Sequence, residues 1–480
     1  MPVTPARAIA FEVLMRVEAQ GAYAADALRA LLGRGGPPGG GARPSRDRRA
    51  LGGRSGAPVG PVKRQDAGLA TELVFGVLRW QRLLDFMVER QSKRSAGSLD
   101  PEVRISLRLG AYQLLFLQKI PPSAAVNESV ELVKRAGRGS AASIVNAVLR
   151  RMPRGPLRPE ELAQLVPVGM PKAERLSILY SHPTWMVARW LAGFGGERTG
   201  FLLEANNRPS RVACSVLDPA KREEVAASLR DDGLDVEPGR LLTNSLIVRS
   251  GNLSETAAFR NGWITIQDEA SQAVALLLSV GENQSVLDLC AAPGNKMLAL
   301  ARAAGPGARI VAADRYGHRL RALETQLRRT ATSGVNLVAL DATEALPFAC
   351  RFERVLVDAP CSGTGTLARN PEIRWRLRPE DIGDLAGRQA RILRNALALL
   401  APGGRLVYAT CSIEPEENEE VARAVLGEMG GIRLAHSAGT LAANLVPGVD
   451  PGRLFDREGF FRIWPDLSTD GFFAAIFERD

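Results

Sequence analysis

The chain has 480 residues, 45% of them hydrophobic, and a formal net charge of +10. This length predicts two or three domains, and the hydrophobic content is enough to give each an ordinary apolar core. We expect no membrane span, because no run of about 18 apolar residues occurs, and no metal site or disulfide framework, because the five cysteines show no Cys-X-X-Cys spacing. The positive charge suits a polyanionic partner. An amphipathic rather than signal-like N-terminus favours the cytoplasm, where thiols stay free.

The first predicted domain, residues 1–155, is helical. Apolar residues recur at helical spacing over 3–32 and over 67–152, which predicts about five or six helices. Between these stretches, 33–66 is rich in Gly, Pro and Arg and carries eight Arg or Lys against two Asp. This composition predicts a disordered basic insertion, which is either a tolerated loop or an RNA-grasping segment.

Residues 156–262 are predicted to form a helical linker and a small α+β module. Trp185 and Trp190 share one amphipathic helix, where they either pack in a core or stack on bases. From Ala213 the period changes, and the segments ACSVL, LDVEP and SLIVRS are predicted strands.

The third predicted domain, residues 263–480, is organised around the stretch SVLDLCAAPGNKM at 285–297. A strand from Val286 to Leu289 turns through small residues into a helix from Asn295 to about residue 303. In open α/β sheets such a loop, at the carboxyl end of a strand, binds a cofactor, and small side chains let a ligand approach the backbone. A tight turn without a ligand is the alternative.

Strands and helices then alternate, which predicts a largely parallel sheet covered on both faces. Three successive predicted strands end in Asp314, Asp341 and Asp358. A carboxylate at the end of the second strand can accept hydrogen bonds from ribose hydroxyls, as it also does in NAD enzymes. Each Asp is alternatively a helix cap or a loop residue. The chain closes with the strand GFFAAIFERD, which we expect to pair with FFRIWP.

Two cysteines follow strands at equivalent places, Cys361 in DAPCS and Cys411 in ATCS. A buried cysteine is usually a small hydrophobe, but the carboxyl ends of strands are where a cofactor lies and where a reactive thiol is useful. Carbon 5 of a pyrimidine is a poor nucleophile. A thiolate that adds to C6 turns C5 into an enamine-like carbon that can accept a methyl group.

Close resemblance to the RNA cytosine-C5 methyltransferases, which use S-adenosylmethionine, is carried by three segments: DLCAAPGNK, VDAPCSGTGTLARNPEIRWR and YATCSIEPEENE. It is strong over about 260–480 and looser over 180–260. The N-terminal region resembles the NusB-like domain of the bacterial ribosomal RNA methyltransferase B family (the RsmB/Sun/Fmu type). The resemblance implies a Rossmann-like, S-adenosylmethionine-dependent methyltransferase sheet, preceded by a NusB-like helical domain and a small α+β module.

The resemblance also implies roles for individual residues. Cys411 attacks C6, and Cys361 assists release of the methylated RNA. Asp358 faces both cofactor and cytosine, and when protonated in a closed site it would donate to N3. Asp314 holds the ribose and Asp341 lies by the adenine. The loop that wraps the methionine end of the cofactor comprises Cys290, Ala291, Ala292, Pro293, Gly294, Asn295 and Lys296.

The loop departs from the family pattern at two positions. Asn295 stands where a second Gly is usual, and Met297 stands where Thr is usual. Asn tolerates positive φ better than most residues, so we expect the loop to keep its shape. Met297 removes a hydroxyl from the helix start, so cofactor affinity is the property most exposed to change.

RNA is the expected partner. Its target base must leave its stack to meet Cys411. Backbone contacts are expected from basic residues. The candidates are Arg369, Arg374, Arg376 and Arg378, with Trp375 for base stacking; a solvated basic face is the alternative.

The resemblance points to cytosine 967 of 16S rRNA as the target, and we expect the enzyme to be monomeric. A tRNA cytosine-C5 methyltransferase is a close alternative. A non-catalytic RNA-binding or ribosome assembly factor that keeps the fold is a second. An NAD-dependent dehydrogenase is a poor third, because it leaves the two cysteines unexplained.

Overall fold

The computed structural model describes residues 3–32, 62–436, 438–466 and 469–480. Contacts divide the chain into two compact units. The first, called the helical unit here, runs to Asn207 and also includes Asn370–Arg376. The second, the sheet unit, comprises Arg208–Arg369 and Leu377–Asp480. The three-domain division stays a prediction.

The basic insertion predicted at 33–66 lies outside the described residues from 33 to 61. Helix α3 begins at Arg64, so the prediction of disorder is wrong for the last three residues of that range. Asp66 lies in the first turn of this helix, where the positive end of the helix dipole stabilises a negative charge. A composition average over the whole insertion could not reveal this helix start.

Most helices of the helical unit bury apolar residues in one shared core. In the first helix the buried residues recur three and four positions apart, as an apolar helical face requires: Ala6, Ile9, Ala10, Val13, Leu14 and Val17. Trp190 is fully buried, which confirms core packing rather than base stacking for that residue. The helices are α1 (Pro5–Gln20), α2 (Ala24–Leu31), α3 (Arg64–Ser92), α4 (Pro101–Phe116), α5 (Pro122–Arg135), α6 (Ala142–Arg150), α7 (Pro159–Leu165), α8 (Lys172–Leu179), α9 (Thr184–Asn206) and α15 (Ile373–Arg376).

A buried ion pair joins α1 to α5. The Nη1 atom of Arg7 lies 2.8 Å from Oε1 of Glu128, and the two side chains are only 5% and 10% exposed. Thr4 donates to the second carboxylate oxygen from both its amide and its hydroxyl. Burial lowers the pKa of Arg7, and the Glu128 carboxylate opposes that change. Each charge therefore depends on the other for compensation.

The sheet unit begins with a four-stranded antiparallel sheet of order β2-β3-β1-β4. Its three longer strands match the predicted segments ACSVL, LDVEP and SLIVRS to within one residue at each end. Helices α10 (Arg222–Asp231) and α11 (Ala257–Arg260) belong to this module. The strands are β1 (Val212–Val216), β2 (Asp235–Pro238), β3 (Ser245–Ser250) and β4 (Ile264–Ile266).

The larger sheet has the order β10-β12-β9-β8-β5-β6-β7, with β11 paired to β12. The strands from β9 to β7 in this order are mutually parallel, whereas β12 runs antiparallel to β9. The pairing of β11 with β12 confirms the expected contact between FFRIWP and the last strand. The strands are β5 (Val286–Asp288), β6 (Ile310–Asp314), β7 (Val335–Ala339), β8 (Phe352–Asp358), β9 (Leu400–Thr410), β10 (Ile432–Leu434), β11 (Phe461–Ile463) and β12 (Phe472–Arg479).

Helices cover both faces of this sheet. Because side chains alternate along a strand, Val286 joins the core on one face and Leu287 the core on the other. This arrangement confirms the predicted Rossmann-like, largely parallel sheet. The helices are α12 (Glu269–Leu277), α13 (Asn295–Ala304), α14 (Gly317–Arg329), α16 (Pro379–Ala398), α17 (Glu419–Glu428) and α18 (Ala438–Ala442). In the described part of the chain, no helix has the length and apolar character needed to cross a membrane.

Candidate active site

The loop between β5 and α13 lies where strand order reverses, with β8 on one side of β5 and β6 on the other. Ligands bind at such a switch point, outside the carboxyl ends of the strands. Gly294 caps α13 with φ 114° and ψ −4°, a conformation that favours glycine. A Cβ atom at this position would lie 2.2 Å from Cδ1 of Leu323. Both backbone conformation and space therefore require glycine here.

The structure shows why Asn295 and Met297 are accommodated, and the reasons differ from those expected from the sequence. Asn295 is the first residue of α13 and is helical, so positive φ is required of Gly294 and not of Asn295. The Asn295 side-chain amide donates to the Ile266 carbonyl at 2.8 Å and ties the loop to the end of β4. Met297 is fully buried in the sheet core. Its side chain therefore contributes packing at a site where a hydroxyl would need a buried partner.

The predicted ribose-binding carboxylate, Asp314, ends β6 and is 2% exposed. Its Oδ1 atom accepts from the Tyr316 amide at 3.0 Å, and its Oδ2 atom lies 3.1 Å from Nη1 of Arg319. These contacts orient the carboxylate at the carboxyl edge of the sheet. Each carboxylate oxygen has a further lone pair that can accept from a hydroxyl.

Asp341 lies two residues beyond the end of β7 at Ala339, so the expectation that it ends the strand is wrong. Its Oδ1 atom accepts from the amide and the hydroxyl of Thr343, at 3.0 and 2.7 Å. These hydrogen bonds lower the pKa of Asp341. The carboxylate thus closes a local turn, and a role beside the adenine stays a prediction.

Asp358 ends β8 and accepts a hydrogen bond from Nζ of Lys296 at 2.7 Å. Lys296 is the second residue of α13, directly after the loop that follows β5, so the pair joins two predicted cofactor residues. The neighbouring carboxyl of Asp288 is almost fully buried, and burial together with the charge of Asp358 raises its pKa to about 8. This corner of the site therefore holds two carboxyl groups and one ammonium group.

The two predicted catalytic cysteines lie side by side. Cys361 follows the end of β8 and Cys411 follows the end of β9, and these strands are parallel neighbours. Their carboxyl ends consequently share one edge, and the two Sγ atoms are 3.4 Å apart. The hydrogen bond with Cys411, followed by burial, raises the pKa of the Cys361 thiol. Both side chains keep partial solvent exposure.

A buried polar network beneath the cysteines escaped the sequence analysis. Glu417 is fully buried and accepts hydrogen bonds from Ser362, Ser412 and Gln389. Its segment, EPEENE, has the composition of an exposed acidic run. No periodicity distinguishes Glu417 from the acids around it, so only its position within YATCSIEPEENE could have singled it out.

Arg374 does not form the predicted RNA contact. It is fully buried in the helical unit, where Nη1 donates to the Ser181 carbonyl and Nη2 to the Asn206 carbonyl, each at 3.0 Å. Trp375 donates from Nε1 to the Leu78 carbonyl at 2.6 Å and packs against the helical core. The basic and aromatic character of this segment therefore serves its docking inside the helical unit.

The other basic candidates differ in their surroundings. Arg369 forms ion pairs with Asp470 at 2.8 Å and with Asp268 at 3.3 Å. Arg376 stacks its guanidinium on the Tyr23 ring, 4.9 Å from the ring centroid. Arg378 is exposed at the start of α16. For Arg369, Arg376 and Arg378, RNA contact stays a prediction.

These features fit a nucleoside-containing cofactor. Small residues and a glycine without room for Cβ line the loop after β5, helix α13 directs its first amides towards that loop, and a buried carboxylate ends β6. Among the described residues, no group of His, Cys, Asp and Glu side chains is arranged to hold a metal ion. The fold and the site together agree with the Rossmann-like methyltransferase that the sequence resemblance implies, with two adjacent thiols at the carboxyl edge of its sheet.

Comparison with known proteins agrees with this class. A family model described as 16S rRNA methyltransferase RsmB/F matches residues 275–478, and the NusB family model matches 52–154. The probable ribosomal RNA small subunit methyltransferase B of Bacillus subtilis (strain 168) is 32% identical and covers 100% of both chains. The crystal structure of PH0851 is 25% identical, with a TM-score of 0.76 over 100% of both chains. A methyltransferase homologue from Pyrococcus horikoshii is 26% identical, with a TM-score of 0.54 over 65% of this chain and 100% of its own.

The chain belongs to the RsmB/F family of 16S rRNA methyltransferases. It is an rRNA methyltransferase that depends on S-adenosylmethionine. The resemblance to the bacterial ribosomal RNA methyltransferase B family, with its NusB-like N-terminal domain, is thereby confirmed.

Proposed function

We propose that this chain methylates carbon 5 of a cytosine in 16S rRNA, at the position that the sequence resemblance indicates, cytosine 967. The observation that carries the proposal is the pair of thiols, Cys361 and Cys411, with 3.4 Å between their sulfur atoms. A methyl transfer to an oxygen or an exocyclic nitrogen needs no thiol. Transfer to C5 of a pyrimidine does, because that carbon must first be made nucleophilic.

In the proposed reaction the Cys411 thiolate adds to C6 of the cytosine and forms a C–S bond. The electron pair of the C5–C6 double bond moves to C5, which takes the methyl group. When bound, S-adenosylmethionine would supply that methyl group as an electrophile, and its sulfur would keep the electron pair of the broken carbon–sulfur bond. A base then removes the C5 proton, the double bond re-forms, and the C–S bond breaks to release Cys411.

The assignment of the two cysteines follows the sequence resemblance, which gives Cys411 the attack on C6. The two sulfur atoms are 3.4 Å apart, and either thiol can donate the hydrogen bond between them. When Cys361 keeps its proton, it can donate that hydrogen bond to a Cys411 thiolate. Cys361 then assists release of the methylated RNA, with its proton available to the departing sulfur.

The cofactor residues have distinct proposed tasks. Residues from Cys290 to Lys296 wrap the methionine end, and Asp314 accepts from the ribose. Asp358 is oriented by the hydrogen bond from Lys296 and is proposed to face both the cofactor and N3 of the cytosine. The base must leave its stack to reach the two thiols.

The proposal is tested with two cysteine variants. Cys361→Ala is expected to accumulate a covalent RNA adduct, because the adduct forms on Cys411 and its release is impaired. Cys411→Ala is expected to form none. Cys350→Ala is the matched control, since Cys350 is also a partly exposed free thiol and has no proposed role. Adducts are detected on denaturing gels with deproteinised 16S rRNA.

Methyl transfer from labelled S-adenosylmethionine to deproteinised 16S rRNA and to bulk tRNA, followed by nucleoside analysis, tests product and substrate. 5-Methylcytidine in the 16S rRNA alone supports the proposal. The same product in tRNA alone overturns the substrate. Full methylation by both cysteine variants, with no adduct in either, overturns the mechanism.

A further inference from the structure

Glu417 lies between β9 and α17, six residues after Cys411, and none of its surface is exposed. A buried carboxylate is costly unless hydrogen-bond donors surround it. The proposed chemistry assigns this group no task. Its contacts explain both its burial and its place in the fold.

The donors to Glu417 come from both cysteine loops. Oε1 accepts from the Ser362 amide at 2.8 Å, and Oε2 accepts from the Ser362 hydroxyl at 2.5 Å. Oε2 also accepts from the Ser412 hydroxyl at 2.5 Å. Ser362 directly follows Cys361, and Ser412 directly follows Cys411. One carboxylate is thus bonded to the residue after each thiol.

Glu417 is itself held in place. The Tyr408 hydroxyl on β9 donates to the Glu417 carbonyl, and Nε2 of Gln389 on α16 donates to Oε1 at 2.9 Å. The next residue, Asn418, donates to the Ser412 carbonyl at 2.9 Å. Because these anchors lie on a central strand and a packed helix, the carboxylate has little freedom to move.

We infer that Glu417 is a positioning residue that sets the spacing of Cys361 and Cys411 by bridging Ser362 and Ser412. The inference deepens the proposed function and rests on it for its catalytic meaning, whereas the bridge itself is a structural statement that can be tested without RNA. Charged hydrogen bonds to a fixed carboxylate are short and directional. They hold the two loops more rigidly than the backbone alone.

The negative charge of Glu417 is not a means of activating the thiols. A carboxylate near a thiol disfavours the thiolate, and Glu417 is among the groups that raise the pKa of Cys361. Glutamine at this position keeps one acceptor oxygen and offers an amide that donates to the two serine hydroxyls. A positional role therefore predicts that Glu417→Gln retains much of what Glu417→Ala loses.

The experiment uses the spacing of the thiols as its readout. The full-length protein is treated with diamide, which accepts two electrons and two protons as the Cys361 and Cys411 thiols join in a disulfide. A disulfide forms only within a narrow range of distances and dihedral angles. Glu417→Ala is therefore expected to slow formation of this disulfide by at least about tenfold, and Glu417→Gln by less than about threefold. Glu420→Gln, an exposed acid on α17, is the matched control and is expected to match wild type.

Turnover is measured on the same variants with 16S rRNA. Misplacement of a reacting group by about 1 Å costs on the order of 100-fold, so Glu417→Ala is expected to lose most of kcat while KM for RNA changes little. Glu417→Gln is expected to recover most of kcat. A charge-based role would instead give the two variants the same loss.

Thermal unfolding establishes that each variant is folded. If Glu417→Ala is not, Ser412→Ala removes one arm of the bridge and is expected to give a smaller slowing of disulfide formation. Disulfide formation at the wild-type rate in folded Glu417→Ala overturns the inference, whatever the methylation assay gives. If Glu417→Ala does not fold, the wild-type rate in Ser412→Ala overturns it. A slow disulfide in Glu417→Ala, with no 5-methylcytidine from wild type, supports the bridge and overturns the proposed function.

Discussion

Gly294, at the start of α13, links the shape of the loop after β5 to a measurable stability of the protein. Replacing it with alanine keeps charge and polarity constant and adds one methyl group. Two costs follow. The backbone has φ 114°, a conformation that costs a non-glycine residue about 1–3 kcal/mol. The new Cβ would also lie 2.2 Å from Cδ1 of Leu323.

The steric cost can be bounded from the surroundings. Leu323 is fully buried in the sheet core, so its side chain cannot turn towards solvent, and overpacking of this kind costs about 1–3 kcal/mol. The sum for Gly294→Ala is about 2–6 kcal/mol. Making room for the added methyl group also displaces the loop that is proposed to hold the cofactor.

Gly305 provides the matched control, because it ends the same helix with φ 76° and has no neighbouring atom within 4 Å of a built Cβ. Gly305→Ala therefore carries only the backbone cost of about 1–3 kcal/mol. Urea unfolding followed by circular dichroism compares the variants, and calorimetric titration measures the Kd for S-adenosylmethionine. We expect Gly294→Ala to be the less stable variant and to weaken binding at least about tenfold, a loss of about 1.4 kcal/mol.

Equal urea midpoints for the Gly294 and Gly305 variants, with cofactor affinity unchanged in both, would refute this reasoning. Equal stability with weakened binding in Gly294→Ala alone would mean that Leu323 yields without cost and that only the loop shape matters. The stability argument would then be wrong and the cofactor assignment supported.

Two further changes test buried charges. Glu128→Ala leaves Arg7 buried without its carboxylate and is expected to lower the free energy of unfolding by about 3–5 kcal/mol. Its control, Glu12→Ala, removes an exposed partner of Arg16 and is expected to lower it by at most about 1 kcal/mol. Equal shifts of the urea midpoint in the two variants would contradict this expectation. Asp288 has a pKa raised to about 8, so the folded state holds its proton more tightly than the unfolded state. Its contribution is therefore present at low pH and lost as pH rises from about 4 to 8. Asp288→Asn should gain stability relative to wild type between pH 5 and pH 9, and a pH-independent difference would contradict the raised pKa.

Much of the fold could be predicted from local pattern. Strand β5 lies within the predicted strand from Val286 to Leu289, and β6 and β8 end at Asp314 and Asp358 as predicted. Buried parallel strands are continuous apolar runs, which makes them easy to predict. The start of α13 follows from the small-residue turn before it. The expected end of β7 at Asp341 was wrong because the partner strand β6 ends at Asp314, opposite Ala339. Asp341 lies beyond this pairing and bonds locally to Thr343 instead.

The environment of Arg374 could not be predicted. An arginine beside tryptophan and further arginines is typical of an RNA-binding surface, and nothing local shows that Asn370–Arg376 packs in the helical unit. Its carbonyl partners, Ser181 and Asn206, lie far away along the chain. Only the tertiary arrangement brings these acceptors to the guanidinium.

The amino-acid order alone predicts the class of sheet, the proposed cofactor loop and the two proposed catalytic thiols, because these predictions depend on residue type and on spacing within short segments. It leaves open which side chains meet. Cys361 and Cys411 are separated by 50 positions, and their 3.4 Å contact arises because β8 and β9 pair in parallel and end at one edge. The bridge through Glu417 has the same origin. Folding brings together donors from two loops and a carboxylate that, along the chain, looks like any other acid in its run.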